Sequence, residues 1–197
     1  LEENKDYGLV HTNYKYFFAK NAEFKVHVPK ISSNRDKEND YYLKTGDIRT
    51  CTVMFRAQFL PEINRLMSQD FMQRAVIGDR PLFLLISKLS KLYFLNEVTS
   101  VYHITDSNSA SHFEDTTKYY TYLKKVSILN VELLNYLKID DKSYIKDQKR
   151  KINFYELLIS YKNKSYFNSI KKSILKTIIY FWNINEVKEV YAIIKHK

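Results

Sequence analysis

The sequence predicts an α/β chain in which a mixed sheet with packed helices is followed by a mainly helical C-terminal extension. Three observations carry this. Segments rich in β-branched and aromatic residues, several of them alternating, fill the first hundred positions. One nearly unbroken apolar run, "PLFLLISKL", interrupts them and suits a helix packed on several sides. Beyond Phe113 the apolar positions recur near the helical repeat instead of alternating.

Taken in order, "LEENKD" reads as an acidic, helix-like opening. "YGLVHTNYKYFF" (7–18) follows as a strand after a turn at Gly8. "AEFKVHVPK" alternates Phe24, Val26 and Val28 against Lys25 and His27, a half-buried strand pattern. "ISSNRDKEND" is a polar loop. "RTCTVMFR" (49–56) is the clearest strand, with Cys51, Val53 and Phe55 on one face and Thr50, Thr52 and Met54 on the other. Pro61 opens a short helix reaching about Ser68. A buried helix spans Arg80 to about Lys91, and "KLYFL" and "EVTSVYHI" are two strands around a turn at Asn96–Glu97. After the polar loop 105–112, a long helix runs from about Phe113 to Leu137 on a stripe of Tyr119, Leu123, Val126, Leu133 and Leu137. Residues 140–151 read as a charged linker, with helices near 152–162, 166–182 and 186–195. This divides the chain into 1–139 and a basic helical extension, 140–197.

Composition narrows the function classes. With 197 residues, 45% hydrophobic and 15% aromatic, the chain buries a real core. Only 3 Gly are present, so glycine-rich phosphate loops are excluded. The lone Cys51 forms no internal disulfide and favours a reducing compartment; the expected location is cytoplasmic, with membrane-peripheral contact open. No apolar run approaches the roughly 18–20 residues of a transmembrane helix. The net charge is +10, most of it within residues 142–197. Such an excess fits nucleic acid or an anionic surface. No RNP-like, zinc or helix-turn-helix signature accompanies it, so no nucleic acid is expected as partner. A basic nucleic-acid-binding module and a non-catalytic interaction module are the alternative classes. The chain opens on Leu1 inside a helix-like segment, and it reads as a piece of something longer.

Three motifs, in this order, carry a resemblance: "LEENKDYGLVHTNY", "RTCTVMFR", and "GDRPLFLLISKLSKLYFLNEVTSVYHITDSNSAS". Over roughly residues 1–138 the chain resembles the C-terminal, acceptor-side half of a bacterial family 2 glycosyltransferase. The resemblance implies a partial GT-A-like sheet and an inverting transfer of sugar from a nucleotide-sugar donor to a saccharide or lipid-linked acceptor in cell-surface polysaccharide synthesis. It implies that Asp79 is the catalytic base; Gly78 stands where many relatives have a second acid. The family's D-x-D motif, which holds a divalent metal (Mg or Mn) on the donor diphosphate, is absent from this chain. The adjacent Asp140–Asp141 pair lacks the preceding apolar strand. The fragment by itself is therefore expected to be inactive. The processive synthases' Q-x-x-R-W is also absent, which fits addition of a single sugar.

The chemistry has plainer readings beside it. A carboxylate general base that takes the acceptor's proton contributes ~10²–10⁴-fold to rate. Read locally, Asp79 before Pro81 is a helix N-cap worth ~1 kcal/mol. Arg49, Thr50 and Thr52 line an acceptor pocket or are a strand's solvent-side polar face. Tyr102 and His103 contact donor phosphate or acceptor, or are ordinary polar residues after a strand. Arg74 and Arg80 meet a diphosphate or stay solvated, and His112 is a weak further metal ligand. The basic stretch 152–197 docks on an anionic bilayer, or packs its stripe of Phe167, Ile170, Ile174 and Ile178 against protein.

Overall fold

The computed structural model describes residues 1–26, 48–104 and 115–162. The chain forms two compact units, Leu1–Ala110 and Ser111–Lys197. The first is a four-stranded mixed sheet with helices, and the second contains a helical pair.

The sheet is organised around β1 (Tyr7–Phe18). One edge of β1 pairs in parallel with β4 (Lys91–Ile104) along its whole length. The other edge is shared by two antiparallel strands, β3 (Val53–Phe55) beside Leu9–His11 and β2 (Glu23–Val26) beside Lys15–Phe18. β1 is paired on both edges, and its first half is the best-buried part of the strand. In β1, Leu9, His11, Asn13 and Tyr14 are all buried.

Gly8 is not a turn. It is the unpaired residue of an irregularity within β1, where Tyr7 faces Lys91 and Leu9 faces Leu92. A Cβ there would lie 2.0 Å from Ser90 Oγ and 2.5 Å from the buried Phe59 ring. Glycine is required by close approach. The opening segment 1–6 is turns, not helix. Arg56 gathers it, donating from Nε to the Tyr7 carbonyl at 2.9 Å and from Nη2 to the carbonyls of Leu1 and Asn4.

Three of the expected strand readings differ. "RTCTVMFR" contributes strand only at Val53–Phe55, and Thr50–Thr52 forms a 3-10 turn before it. Alternation breaks there: Thr52 is buried and Cys51 exposed. β2 is exposed at all four positions, so its alternation records pairing to β1 and no burial. Phe24 instead lies against Phe17, ring centroids 4.7 Å apart. The expected hairpin at Asn96–Glu97 is one continuous strand. Thr12 faces Leu95 and Asn13 faces Val98, so Asn96 and Glu97 are extra residues in β4, and a further shift at Thr99 follows.

Helix α1 (Leu60–Met67) begins with Pro in its first turn, as expected. Helix α2 (Asp79–Leu89) buries Pro81, Phe83, Leu84, Leu85, Ile86 and Ser87. Full burial of such apolar side chains contributes roughly 1.5–3 kcal/mol each, so α2 is a firmly anchored element.

In the second unit, α3 (Thr116–Leu137) is capped by Asp115, whose carboxylate accepts from the amides of Thr117 and Lys118. Lys138 ends it in the left-handed region at φ 53°. Residues 140–151 are not a linker: α4 runs unbroken from Lys142 to Lys162. Its buried Tyr144, Gln148, Phe154 and Leu158 recur at helical spacing among the charges. Tyr120 packs with Phe154 and Leu158, Lys124 pairs with Glu156 at 2.7 Å, and Asn130 bonds Gln148 at 3.0 Å. The order of partners reverses along the two helices, so they are antiparallel. The buried face of α3 takes Tyr120, Leu129 and Leu134 beside the expected Leu133 and Leu137, whereas Tyr119 is exposed. The helices expected near 166–182 and 186–195, and the loops 31–40 and 105–112, lie outside the described residues.

Candidate functional site

The site is assembled from the turn before β3, the start of α2 and the distal half of the β1–β4 pair. The N-cap position of α2 is Gly78, with no side-chain cap, and Asp79 is the first helical residue. Asp79 is therefore not the N-cap. Its Oδ1 accepts from the Arg80 amide at 2.8 Å, satisfying one of the donors a helix start leaves open. Its Oδ2 accepts from the Thr50 hydroxyl at 2.9 Å. The carboxylate is half-buried, fixed on both oxygens, and mounted on a buried helix. Beside it, a Cβ added to Gly78 would meet no atom within 4 Å. Gly78 therefore borders open space.

The neighbouring Arg49 turns toward the sheet. Its Nε donates to the Tyr14 hydroxyl at 3.3 Å, and its guanidinium carbon lies 5.9 Å from the centre of the Tyr102 ring. Tyr14 and Tyr16 share a hydroxyl–hydroxyl bond of 2.9 Å, and the Tyr16 and Tyr102 rings meet edge-on at 6.1 Å. Burial pushes the Tyr14 hydroxyl up to about 12, with the Arg49 contact pulling the other way. Burial also disfavours the Arg49 charge, but its contacts with Tyr14 and Tyr16 outweigh this and raise its pKa.

Of the sequence-predicted residues, the structure brings together Asp79 with Thr50, and Arg49 with Tyr102. Thr52 is buried and turned inward, its hydroxyl donating to the Arg49 carbonyl at 2.7 Å; it shapes the turn and does not line a pocket. Arg80 supplies the amide that holds Asp79. His103 is separated from Tyr102. In register Tyr102 faces Tyr16 and His103 faces Phe17, so the two point to opposite sides of the sheet. His103 packs on Phe17 at 5.1 Å. Arg74 lies in a 3-10 turn between α1 and α2. His112 lies outside the described residues, as does most of 152–197. Tyr14 and Tyr16 are members that sequence reasoning missed. They sit in the strand "NYKYFF", where tyrosine at alternate positions was the available signal.

Among the described residues, no three His, Cys, Asp or Glu side chains are arranged to hold a metal ion. A cleft of about 370 Å³ lies elsewhere in this unit, lined by Leu1, Asn4, Tyr7, Val10 and Tyr93 among others, and none of the predicted site residues borders it. No described helix is long and apolar enough to cross a membrane. Compared with models of protein families, with curated proteins and with solved structures, the chain matches none.

Proposed function

We propose that this chain is the acceptor-side half of an inverting, single-addition glycosyltransferase of the family 2 type, with Asp79 as its general base. The observation that supports this most is the mounting of Asp79. A half-buried carboxylate is held by Thr50 and the Arg80 amide on a rigid helix, with open space beside Gly78. A base must be held within hydrogen-bond reach of the proton it takes, and such geometry does this.

In the reaction, an acceptor hydroxyl enters the space beside Gly78 and points its proton at Asp79. The carboxylate takes the proton as the hydroxyl oxygen forms its bond to the anomeric carbon. The bond from that carbon to the diphosphate oxygen breaks on the opposite face, so configuration inverts. The nucleoside diphosphate leaves with the bonding pair. The donor is a nucleotide sugar, and the acceptor a saccharide, free or lipid-linked. Among the described residues no three His, Cys, Asp or Glu side chains are arranged to hold a metal ion, and in this reading the divalent ion belongs with the donor-binding half.

The test is Asp79→Asn in the protein that joins these residues to a donor-binding half. Asn matches both contacts, its Oδ1 accepting from the Arg80 amide and its Nδ2 donating to Thr50. Transfer should fall by ~10²-fold or more, while the melting temperature stays within error of the parent. Near-normal turnover in the Asn variant would show that the base lies elsewhere.

A further inference from the structure

Arg49 is a partly exposed cation with a fixed seat and no carboxylate partner among the described residues. Its surroundings are the Tyr14 and Tyr16 hydroxyls and the Tyr102 ring. Because the Tyr14 hydroxyl is pushed up to about 12, it stays neutral at physiological pH and does not balance the charge. The next residue along the chain, Thr50, donates to Asp79. Consecutive Cα atoms lie ~3.8 Å apart. One short turn therefore presents a cation and anchors a carboxylate, and the two do not close an ion pair on each other. A deprotonating carboxylate alone would serve a neutral acceptor. A guanidinium is the side chain whose planar fork matches carboxylate and phosphate oxygens, and a ring beneath it with a hydroxyl on Nε removes part of its rotational freedom in advance.

We propose that Arg49 is an acceptor-recognition residue, binding an anionic group (a sugar carboxylate or a phosphate) on the saccharide whose hydroxyl Asp79 deprotonates. This rests on the glycosyltransferase reading above and narrows it to acidic acceptors. Tyr14 is a positioning residue, acting through Arg49 Nε.

The experiment is a binding measurement that needs no turnover. The full chain, labelled with ¹⁵N, is titrated with a uronic-acid disaccharide, a disaccharide phosphate, a neutral disaccharide and inorganic phosphate, following the Arg49 Nε–H resonance. One acidic disaccharide should shift that resonance and bind more tightly than both the neutral disaccharide and inorganic phosphate. Which one does so identifies the anionic group. Arg49→Gln should weaken that ligand by about tenfold or more and the neutral disaccharide by less than about twofold. Tyr14→Phe, which removes only a hydroxyl, should weaken it several-fold. Unchanged affinity in Arg49→Gln would overturn the proposal. So would equal affinity for inorganic phosphate, since Arg49 would then be a simple ion site. If neutral and acidic disaccharides bind equally at Asp79, acidic recognition fails and the glycosyltransferase reading stands. If no saccharide perturbs Thr50, Asp79 or Arg80, that reading fails as well.

Discussion

Thr50 is the residue on which the Asp79 carboxylate leans, and its role is separable from folding because the side chain is exposed. Under the proposed glycosyltransferase function, Thr50→Ser keeps the hydroxyl and should leave turnover within a few-fold. Thr50→Val removes the hydroxyl at similar volume, and kcat should fall while the melting temperature hardly moves. Gly8 makes the opposite case, a residue with no chemistry whose change is felt everywhere in its unit. Gly8→Ala forces its methyl into Ser90 Oγ and the Phe59 ring, and overpacking of this kind costs about 1–3 kcal/mol. Urea denaturation followed by tyrosine fluorescence should show a lower midpoint at unchanged slope. Tyr14 adds a pH signature. Its folded-state pKa of about 12 lies above the ordinary tyrosine value near 10, so its contribution is fully present below pH ~10 and is lost as pH rises toward 12. In a tyrosinate absorbance titration of the native protein, Tyr14→Phe should remove a late step. The carboxylate at Asp79 was legible in the sequence, since an acid before a proline and an apolar run marks a helix start. Its partners were not. Thr50 precedes Asp79 by 29 positions and Tyr14 precedes Arg49 by 35, and only the fold brings each pair together.

Among the elements, α4 shows most clearly how charge hides periodicity. Lys142, Lys146, Asp147, Lys149, Arg150 and Lys151 crowd the stretch read as a linker, yet Tyr144 and Gln148 form its inner edge. The buried Asn130–Gln148 bond explains why hydropathy misses this face: a polar pair occupies it on both helices. Removing one member leaves the other buried without its partner, so Gln148→Ala should cost about 1–3 kcal/mol, whereas replacing both by leucine should be close to neutral. A double-mutant cycle on thermal unfolding measures the coupling. At Asp147, burial raises the pKa but the contacts with Lys151 and Arg150 more than offset it, and the net shift is downward. Its contribution is therefore present above the ordinary carboxylate value near 4 and is lost as pH falls below that. Asp147→Asn should flatten the acid limb of a stability–pH curve. In β4 the cue that misleads is Asn96–Glu97. A polar pair between two apolar runs is the signature of a turn, but also of a bulge, and only pairing to β1 separates the two.

At the scale of the whole molecule, the α/β class and the places of β1, α1, α2 and α3 were legible because periodicity is local. The sheet's topology was not, because every pairing of β1 with β3 and β4 is long-range. The parallel β1–β4 ladder begins with Tyr7 opposite Lys91, 84 positions later. That one pairing has a consequence for how the protein comes into being. Closing so long a loop precedes any reward from the contacts it makes, which places this unit among slow, non-local folders. During synthesis, at roughly 5–20 residues per second, β1 waits roughly 4–17 s before the partner for its long edge has even been made. Over that interval a strand containing Leu9, Val10, Tyr14, Tyr16, Phe17 and Phe18 has one uncovered edge, the condition under which strands pair with the wrong neighbour. Refolding from urea should accordingly show a major phase in the millisecond-to-second range, and the yield should fall as protein concentration rises. Leu92→Ala, which weakens the first rungs of the ladder, should lower that yield further. The strand that carries the tyrosines of the Arg49 seat is thus also the one most exposed to misassembly before β4 arrives.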